Sequence, residues 1–156
     1  MRWRVIAVGT RLGGWAGAGF NDYSRRLRGA EALELCEVPP GRRSSRGDAA
    51  RAMATEAERI LALLDPRSFN VALDERGRQF SSVQLGKWLA VRRQSGESMN
   101  FIIGGADGLG DAVLQRVALR WSLSALTLPH ALARVLVAEQ LYRATTLLAG
   151  HPYHRE

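Results

Sequence analysis

The sequence predicts an α/β fold: a mostly parallel sheet of about five strands flanked by helices, in one domain covering residues 1–156. Three observations carry that expectation. Apolar runs of strand length alternate along the chain with stretches of helical spacing, the pattern of βαβ units. The segments Phe69–Leu73 and Met99–Ile103 read as short buried strands, as parallel sheets covered on both faces require. At 156 residues with 46% hydrophobic side chains, the chain is long enough for one core and too short to expect two.

Each element follows in order. Trp3–Val8 reads as the first strand, ending at Gly9, and Trp15–Arg28 as a helix. Ala32–Val38 is a second strand stopped by Pro39-Pro40. The basic loop PPGRRSSRGD ends in Asp48, a residue type that caps helix N-termini. From there Ala50, Met53, Ala54, Ala57, Ile60, Leu61 and Leu64 recur at three- and four-residue spacing, one face of a helix closed by Asp65-Pro66. Phe69–Leu73 is the third strand, and DERGRQ after it reads as a polar turn. Ser82 caps a helix through Arg93, and Met99–Ile103 is the fourth strand. A helix over Asp111–Arg120, a fifth strand over Trp121–Leu128 and a long helix from Pro129 to Ala149, stopped by Gly150, complete the pattern. No repeat, linker or low-complexity tract interrupts it.

Composition narrows the function. The formal charge is +7, and Lys87 is the only lysine, so the positive charge is almost wholly arginine. Arginine's planar fork suits phosphate and stacks on bases, which points to a nucleic-acid partner; arginines spread for solubility account for the charge equally well. No apolar run approaches the roughly 18–20 residues that span a bilayer, so no membrane partner is expected. The start of the chain reads as a strand rather than a leader, and the expected compartment is the cytoplasm. The single cysteine, Cys36, excludes an internal disulfide and a cysteine-based metal cluster.

Three motifs carry chemistry. In FIIGGADGLG a buried strand runs into Gly104, Gly105, Gly108 and Gly110. This is not a dinucleotide fingerprint, because no carboxylate occurs between Asp111 and Glu139 to hold a ribose, and no Walker lysine follows. What remains is a glycine loop at a strand end, where open sheets bind ligands, or simply a tight turn. WSLSALTLPHALARVLVAEQLYRA passes from an apolar strand with interleaved hydroxyls into a helix N-terminus at Pro129-His130, a setting that suits an adenine-bearing ligand with few charges. Along that helix His130 and Arg134 share a face, as do Glu139 and Arg143; the latter alone reads as an ion pair worth a few tenths of a kcal/mol. The terminal HPYHRE concentrates His151, Tyr153, His154 and Arg155 where chain ends usually fray. His151 and His154 are three apart, but without cysteine or carboxylate partners beyond Glu156 no metal is expected. The absence of G-x-S-x-G leaves a serine hydrolase without support.

These three motifs, the opening AVGT and the total length together resemble the ribosomal RNA large subunit methyltransferase H family, of the knotted α/β (SPOUT) methyltransferases. The likeness covers essentially the whole chain, and the last third carries most of it. It implies an α/β-knot fold with a C-terminal trefoil knot, a feature that general rules of chain connection would exclude. It also implies methyl transfer from S-adenosylmethionine to N3 of a pseudouridine in helix 69 of 23S rRNA, on assembled ribosomes. Carried over by motif, the cofactor-binding positions are Leu73, Gly104, Gly105 and the run Leu123, Ser124, Ala125, Leu126, Thr127 and Leu128. Ala106-Asp107 departs from the family's usual Pro-Glu but keeps an acid, and Gly110 stands where a serine is common. The expected catalytic group is His154, Tyr153, Arg155, His130 and Arg143. His154, Arg155 and His130 are available to take the imide proton or favour the imide anion, Tyr153 to stack on the base, and Arg143 to hold a phosphate or the anion. The family's homodimer, in which one subunit's tail completes the other's site, would explain the unusual terminus. Arg25, Arg26, Arg28, Arg42, Arg43 and Arg46 are candidate rRNA phosphate contacts. Other readings are a knotted methyltransferase acting on another rRNA or tRNA position, and a non-catalytic ribosome-assembly factor.

Overall fold

The computed structural model describes residues 1–9, 12–45 and 47–155, apart from the side chain of His154. Strands β1 (Trp3–Val8), β2 (Leu33–Val38), β3 (Phe69–Gln79), β4 (Met99–Ile103) and β5 (Leu119–Ser122) form one sheet in the order β2-β1-β4-β3-β5. Every neighbouring pair is parallel. The helices are α1 (Gly14–Arg26), α2 (Asp48–Leu61), α3 (Ser82–Ser95), the single turn α4 (Asp111–Leu114) and α5 (His130–Ala149). A short 3-10 turn, Pro152–Arg155, follows α5.

Two-residue alternation in β1 divides the core into two halves. Trp3, Val5 and Ala7 pack with Phe20 of α1, Leu85 and Leu89 of α3, and Val137 and Leu141 of α5. Ile6 and Val8 face the other way, onto Ala57 and Ile60 of α2 and Val113 of α4. The result is a three-layer sandwich with β4, buried at all five positions, in its middle. Each fully buried aliphatic side chain of this kind contributes about 1.5–3 kcal/mol. Because the strands are parallel, their C-terminal ends share one edge of the sheet, and the loops that follow them gather there.

The bounds of β1 and β4 are those expected, and those of α1, β2, α3 and α5 agree within two residues. Four expectations need correction, each for a reason of hydrogen bonding. First, DERGRQ is no free turn: β3 runs on to Gln79 and pairs with β5 on both sides of a bulge, Trp121 facing Leu73 before it and Arg78 after it. Gly77 makes this possible, since a Cβ there would stand 2.5 Å from the carbonyl oxygen of Arg120. Second, the helix over Asp111–Arg120 stops at Leu114, because Ala118 donates to the carbonyl of Asn70 and Leu119 joins the sheet opposite Val71. Third, β5 ends at Ser122 rather than Leu128. Ser122 Oγ donates to the carbonyl of Ser124, whose own Oγ accepts from Leu126 N, and these local bonds replace the ladder.

The fourth correction concerns α2. Ala50 and Ala54 are exposed, while the inner face is Ala52, Glu56, Ala57 and Ile60. Glu56, which the periodicity left off the apolar face, is therefore part of the buried one. Asp48 does not cap the helix; its Oδ2 accepts from the amides and hydroxyls of Ser44 and Ser45, and Gly47 occupies the cap position. Those four bonds hold the Asp48 carboxyl below the ordinary carboxylate range. At α3 the cap is Ser81, in a reciprocal capping box with Gln84, so Ser82 is free to donate to Gln140 on α5.

Candidate active site

The ends of β3, β4 and β5 and the start of α5 enclose a cleft of about 890 Å³. Its position is the one where open parallel sheets take ligands. Leu73, Gly104, Gly105, Leu123, Ser124, Leu126, Thr127 and Leu128 all line it, as does His130. Ala125, in the same loop, is exposed and does not line the cleft. The sequence reading missed Asp74, Glu75, Arg76, Asp111 and Arg120 and noted Asp107 only as the acid kept in the glycine loop; these six supply most of its charge. Three of these lie in the bulge of β3, and the glycine in RGR was the signal that a strand kinks there.

Local chemistry shapes each wall. Gly104 and Gly105 leave β4 and fold back so that Gly108 N donates to the carbonyl of Gly105 at 3.1 Å. A Cβ on Gly104 would lie 2.5 Å from the carbonyl carbon of Gly108, so the loop closes this tightly only with glycine there. Across the cleft, Thr127 Oγ1 donates to Glu75 Oε2 at 2.9 Å, joining the loop after β5 to the bulge of β3.

Behind the glycine loop lies a network the sequence reading did not anticipate. Glu56 is 2% exposed and accepts from Gly41 N at 2.8 Å. Arg43 grips both its oxygens, Nη1 to Oε2 at 2.7 Å and Nη2 to Oε1 at 3.1 Å, and its Nε donates to Asp107 Oδ2 at 2.8 Å. The hydrogen bonds to Glu56 and then Asp107 raise the Arg43 pKa further, so the guanidinium stays charged. Arg43 is therefore committed within the chain rather than free for an rRNA phosphate. Arg42 is exposed, and Arg46 lies outside the described residues.

The two ends of α5 serve different neighbourhoods. Near its start, His130 reaches the cleft, while Arg134 is buried and bonds Glu37 and the carbonyls of Val8 and Gly9. Near its end, Tyr23, Tyr142 and Tyr153 cluster, with the rings of Tyr142 and Tyr153 centred 4.7 Å apart. The Tyr153 hydroxyl donates to Glu139 Oε1 at 3.1 Å and lies 3.2 Å from the hydroxyl of Tyr23. Arg143 bonds the same Glu139 oxygen at 2.7 Å, which raises its own pKa, and stacks 5.0 Å over the Tyr153 ring. Arg26 pairs with Asp22 at 2.8 Å and stands over all three tyrosine rings, so it too is engaged. Burial, then the bonds to Tyr23 and Glu139, push the Tyr153 phenol well above its ordinary pKa. Arg155 is exposed, and the expectation for His154 falls on a side chain outside those described.

Within one chain Arg143 and Tyr153 thus meet, but His130 does not join them. His130 and Arg143 are separated by thirteen residues of helix, about 20 Å at 1.5 Å per residue. His130 lies at the cleft; Arg143 and Tyr153 lie at the opposite end of α5.

Comparison with known proteins agrees with this architecture. The profile of the family described as "Predicted SPOUT methyltransferase" matches residues 1–154. The chain is 49% identical over 156 residues to ribosomal RNA large subunit methyltransferase H of Thiobacillus denitrificans, covering all of both chains. It is 47% identical over 155 residues to the protein of that name from Chromohalobacter salexigens, covering 99% of this chain and 100% of that one. In structure it resembles a methylase family protein of Haemophilus influenzae, with TM-score 0.57 and 16% identity, over 97% of this chain and 69% of that one. It also resembles a methyltransferase of Bordetella pertussis, with TM-score 0.55 and 19% identity, over 92% of this chain and 93% of that one. A Legionella pneumophila methyltransferase solved with SAM bound has TM-score 0.52 and 10% identity, over 92% of this chain and 66% of that one. Sequence motifs, sheet topology and whole-length identity agree, and the chain belongs to the SPOUT methyltransferases, in the ribosomal RNA large subunit methyltransferase H family.

Proposed function

We propose that this enzyme transfers a methyl group from S-adenosylmethionine to N3 of a pseudouridine in helix 69 of 23S rRNA, on the assembled ribosome, as a cytoplasmic homodimer. The observation that carries the reading is the cleft, on whose walls eight of the nine positions assigned by motif to the cofactor converge. Its residues fit that cofactor. Leu73, Leu128 and Ala133 offer apolar surface for an adenine, Arg76 and Arg120 a counter-charge for a carboxylate, and Asp74, Glu75 and Asp107 acceptors for hydroxyl or ammonium groups. When bound, the cofactor supplies a sulfonium-activated methyl group.

The chain's own residues do the rest. The loops 104–109 and 123–128 are placed to hold the reactants aligned, which is most of what an in-line displacement needs. The N3 imide proton must leave, and His154 is the tail residue assigned to take it, with His130 at the cleft as the second candidate. Tyr153 is not the base: its phenol is held protonated and serves to orient the target base. Arg143 is tied to Glu139 and the Tyr153 ring, so it acts by fixing the tail, and Arg155 is left to meet the imide anion. The distance between cleft and tail within one chain supports a site completed by a second subunit. The C-terminal knot belongs to the same proposal; α5 leaves the β5 edge and returns between α1 and α3, a path that suits it.

The test is to incubate the protein with radiolabelled S-adenosylmethionine and either intact ribosomes or free rRNA, and then map the labelled nucleotide. Label on the helix 69 pseudouridine of ribosomes is expected. Label at another rRNA or tRNA position would replace the target, and no label with ribosome binding retained would favour an assembly factor.

A further inference from the structure

Among the described residues, Asp107 alone belongs both to the wall of the cleft and to the buried network behind it. Its Oδ2 is taken by Arg43 Nε, and no described residue bonds its Oδ1. The side chain lines the cleft and is 38% exposed, which leaves room for a ligand beside it. Arg43 in turn cannot swing away: two further bonds fix it to Glu56, and Glu56 is pinned by Gly41 N. Gly105 lies beside the same carboxylate: a Cβ built there would stand 3.4 Å from Glu56 Oε1. A carboxylate whose second oxygen is fixed by a guanidinium has its first oxygen aimed without a loss of rotamer freedom on binding.

We propose that Arg43 and Glu56 are positioning residues for cofactor binding: they hold Asp107 so that its Oδ1 accepts a hydrogen bond from a donor group of the methyl donor. This rests on the reading of the cleft as the S-adenosylmethionine site. The donor is either a ribose hydroxyl or the ammonium of the amino-acid arm, and the two are separable by experiment.

Removing Arg43 alone would leave the Glu56 carboxylate buried and unpaired, so the network is tested with Arg43→Met combined with Glu56→Gln. Binding of S-adenosylhomocysteine to the purified protein is measured by calorimetry for wild type, Asp107→Asn, the Arg43→Met/Glu56→Gln pair and the triple variant. Asp107→Asn should weaken binding about tenfold, as loss of a charged hydrogen bond does, and the pair should come close to the same loss. The triple variant should bind no worse than Asp107→Asn, because network and carboxylate act on one hydrogen bond. A merely structural network would instead give losses that multiply in the triple variant, and that result, or wild-type affinity in the pair, overturns the proposal. With 5′-methylthioadenosine, which keeps the ribose and lacks the amino-acid arm, a loss of the same size assigns the bond to a hydroxyl and an unchanged affinity assigns it to the ammonium. If wild type itself binds neither ligand, the reading of the cleft fails and this inference fails with it.

Discussion

Arg134 Nη1 lies 3.0 Å from Glu37 Oε2, and its Nη2 donates to the carbonyls of Val8 and Gly9 at 3.2 and 3.3 Å. One guanidinium, 1% exposed, thus ties α5 to the ends of both β1 and β2, one helical turn beyond His130. Arg134→Met would take this donor from two carbonyls and leave Glu37 Oε2 with the Leu12 amide alone. The expected cost is about 2–4 kcal/mol in urea unfolding, and a loss below about 1 kcal/mol would show the clamp to be dispensable.

The glycine loop offers a sharper test, because it separates binding from folding. Gly104→Ala forces a Cβ to within 2.5 Å of the Gly108 backbone, so the loop must open. Strain of about 1–3 kcal/mol should appear as a ten- to hundredfold loss of S-adenosylhomocysteine affinity, read by calorimetry. The sheet is untouched, so the melting temperature should fall by no more than about 2–4 °C per kcal/mol of this strain.

The tail should behave as part of a site it does not reach within its own chain. Deleting His151–Glu156 should abolish ribosome methylation while sedimentation still finds dimers. An active monomer would sink the account. Tyr153→Phe removes the hydroxyl bonds to Glu139 and Tyr23 and should lower turnover with stability nearly unchanged. Because the phenol is held protonated, the Tyr153→Phe variant should also keep the shape of the wild-type pH–rate profile.

Acid should loosen the loop before α2. Asp48 has a folded pKa below its unfolded one, so its contribution is present above about pH 4, the unfolded value, and is lost as pH falls through the folded value. Thermal melts of wild type and Asp48→Asn should therefore differ near pH 6 and converge towards pH 3. A gap that persists at low pH would mean the carboxylate's charge is not what holds Ser44 and Ser45.

Among the arginines proposed to meet rRNA, the structure separates those held closely by a carboxylate from the rest. Arg25, Arg26, Arg28 and Arg42 are exposed, but Arg26, like the half-buried Arg43, holds a carboxylate closely, whereas Arg25 comes no nearer than 3.8 Å to Asp22. Replacing Arg25, Arg28 and Arg42 by glutamine should weaken ribosome binding and reduce its log–log salt slope by about 0.7–0.9 for each phosphate no longer neutralised. An unchanged slope would place the rRNA surface elsewhere.

How much of this was legible in the letters varies by element. β1 and β4 were, because runs such as WRVIAV and MNFII leave no competing partner for their backbones. β5 and α4 were misjudged for the opposite reason: Ser122 and Ser124 bond locally, and Asn70 captures Ala118, choices that depend on what lies alongside. The bulge of β3 hid behind a polar composition that looks like a turn until β5 pairs on both sides of it.

The sequence by itself determined the fold class and the family, because these rest on local spacing and on motifs that stay contiguous along the chain. Only the tertiary structure decided which charges are spent inside the molecule. Arg43, Glu56 and Asp107 are up to 64 residues apart and meet only when the β2–α2 loop closes over the glycine loop. Likewise Arg134 reads as one more helix arginine until the ends of β1 and β2 surround it. Periodicity reports which residues avoid water; it carries no record of which buried charge finds its partner from another element.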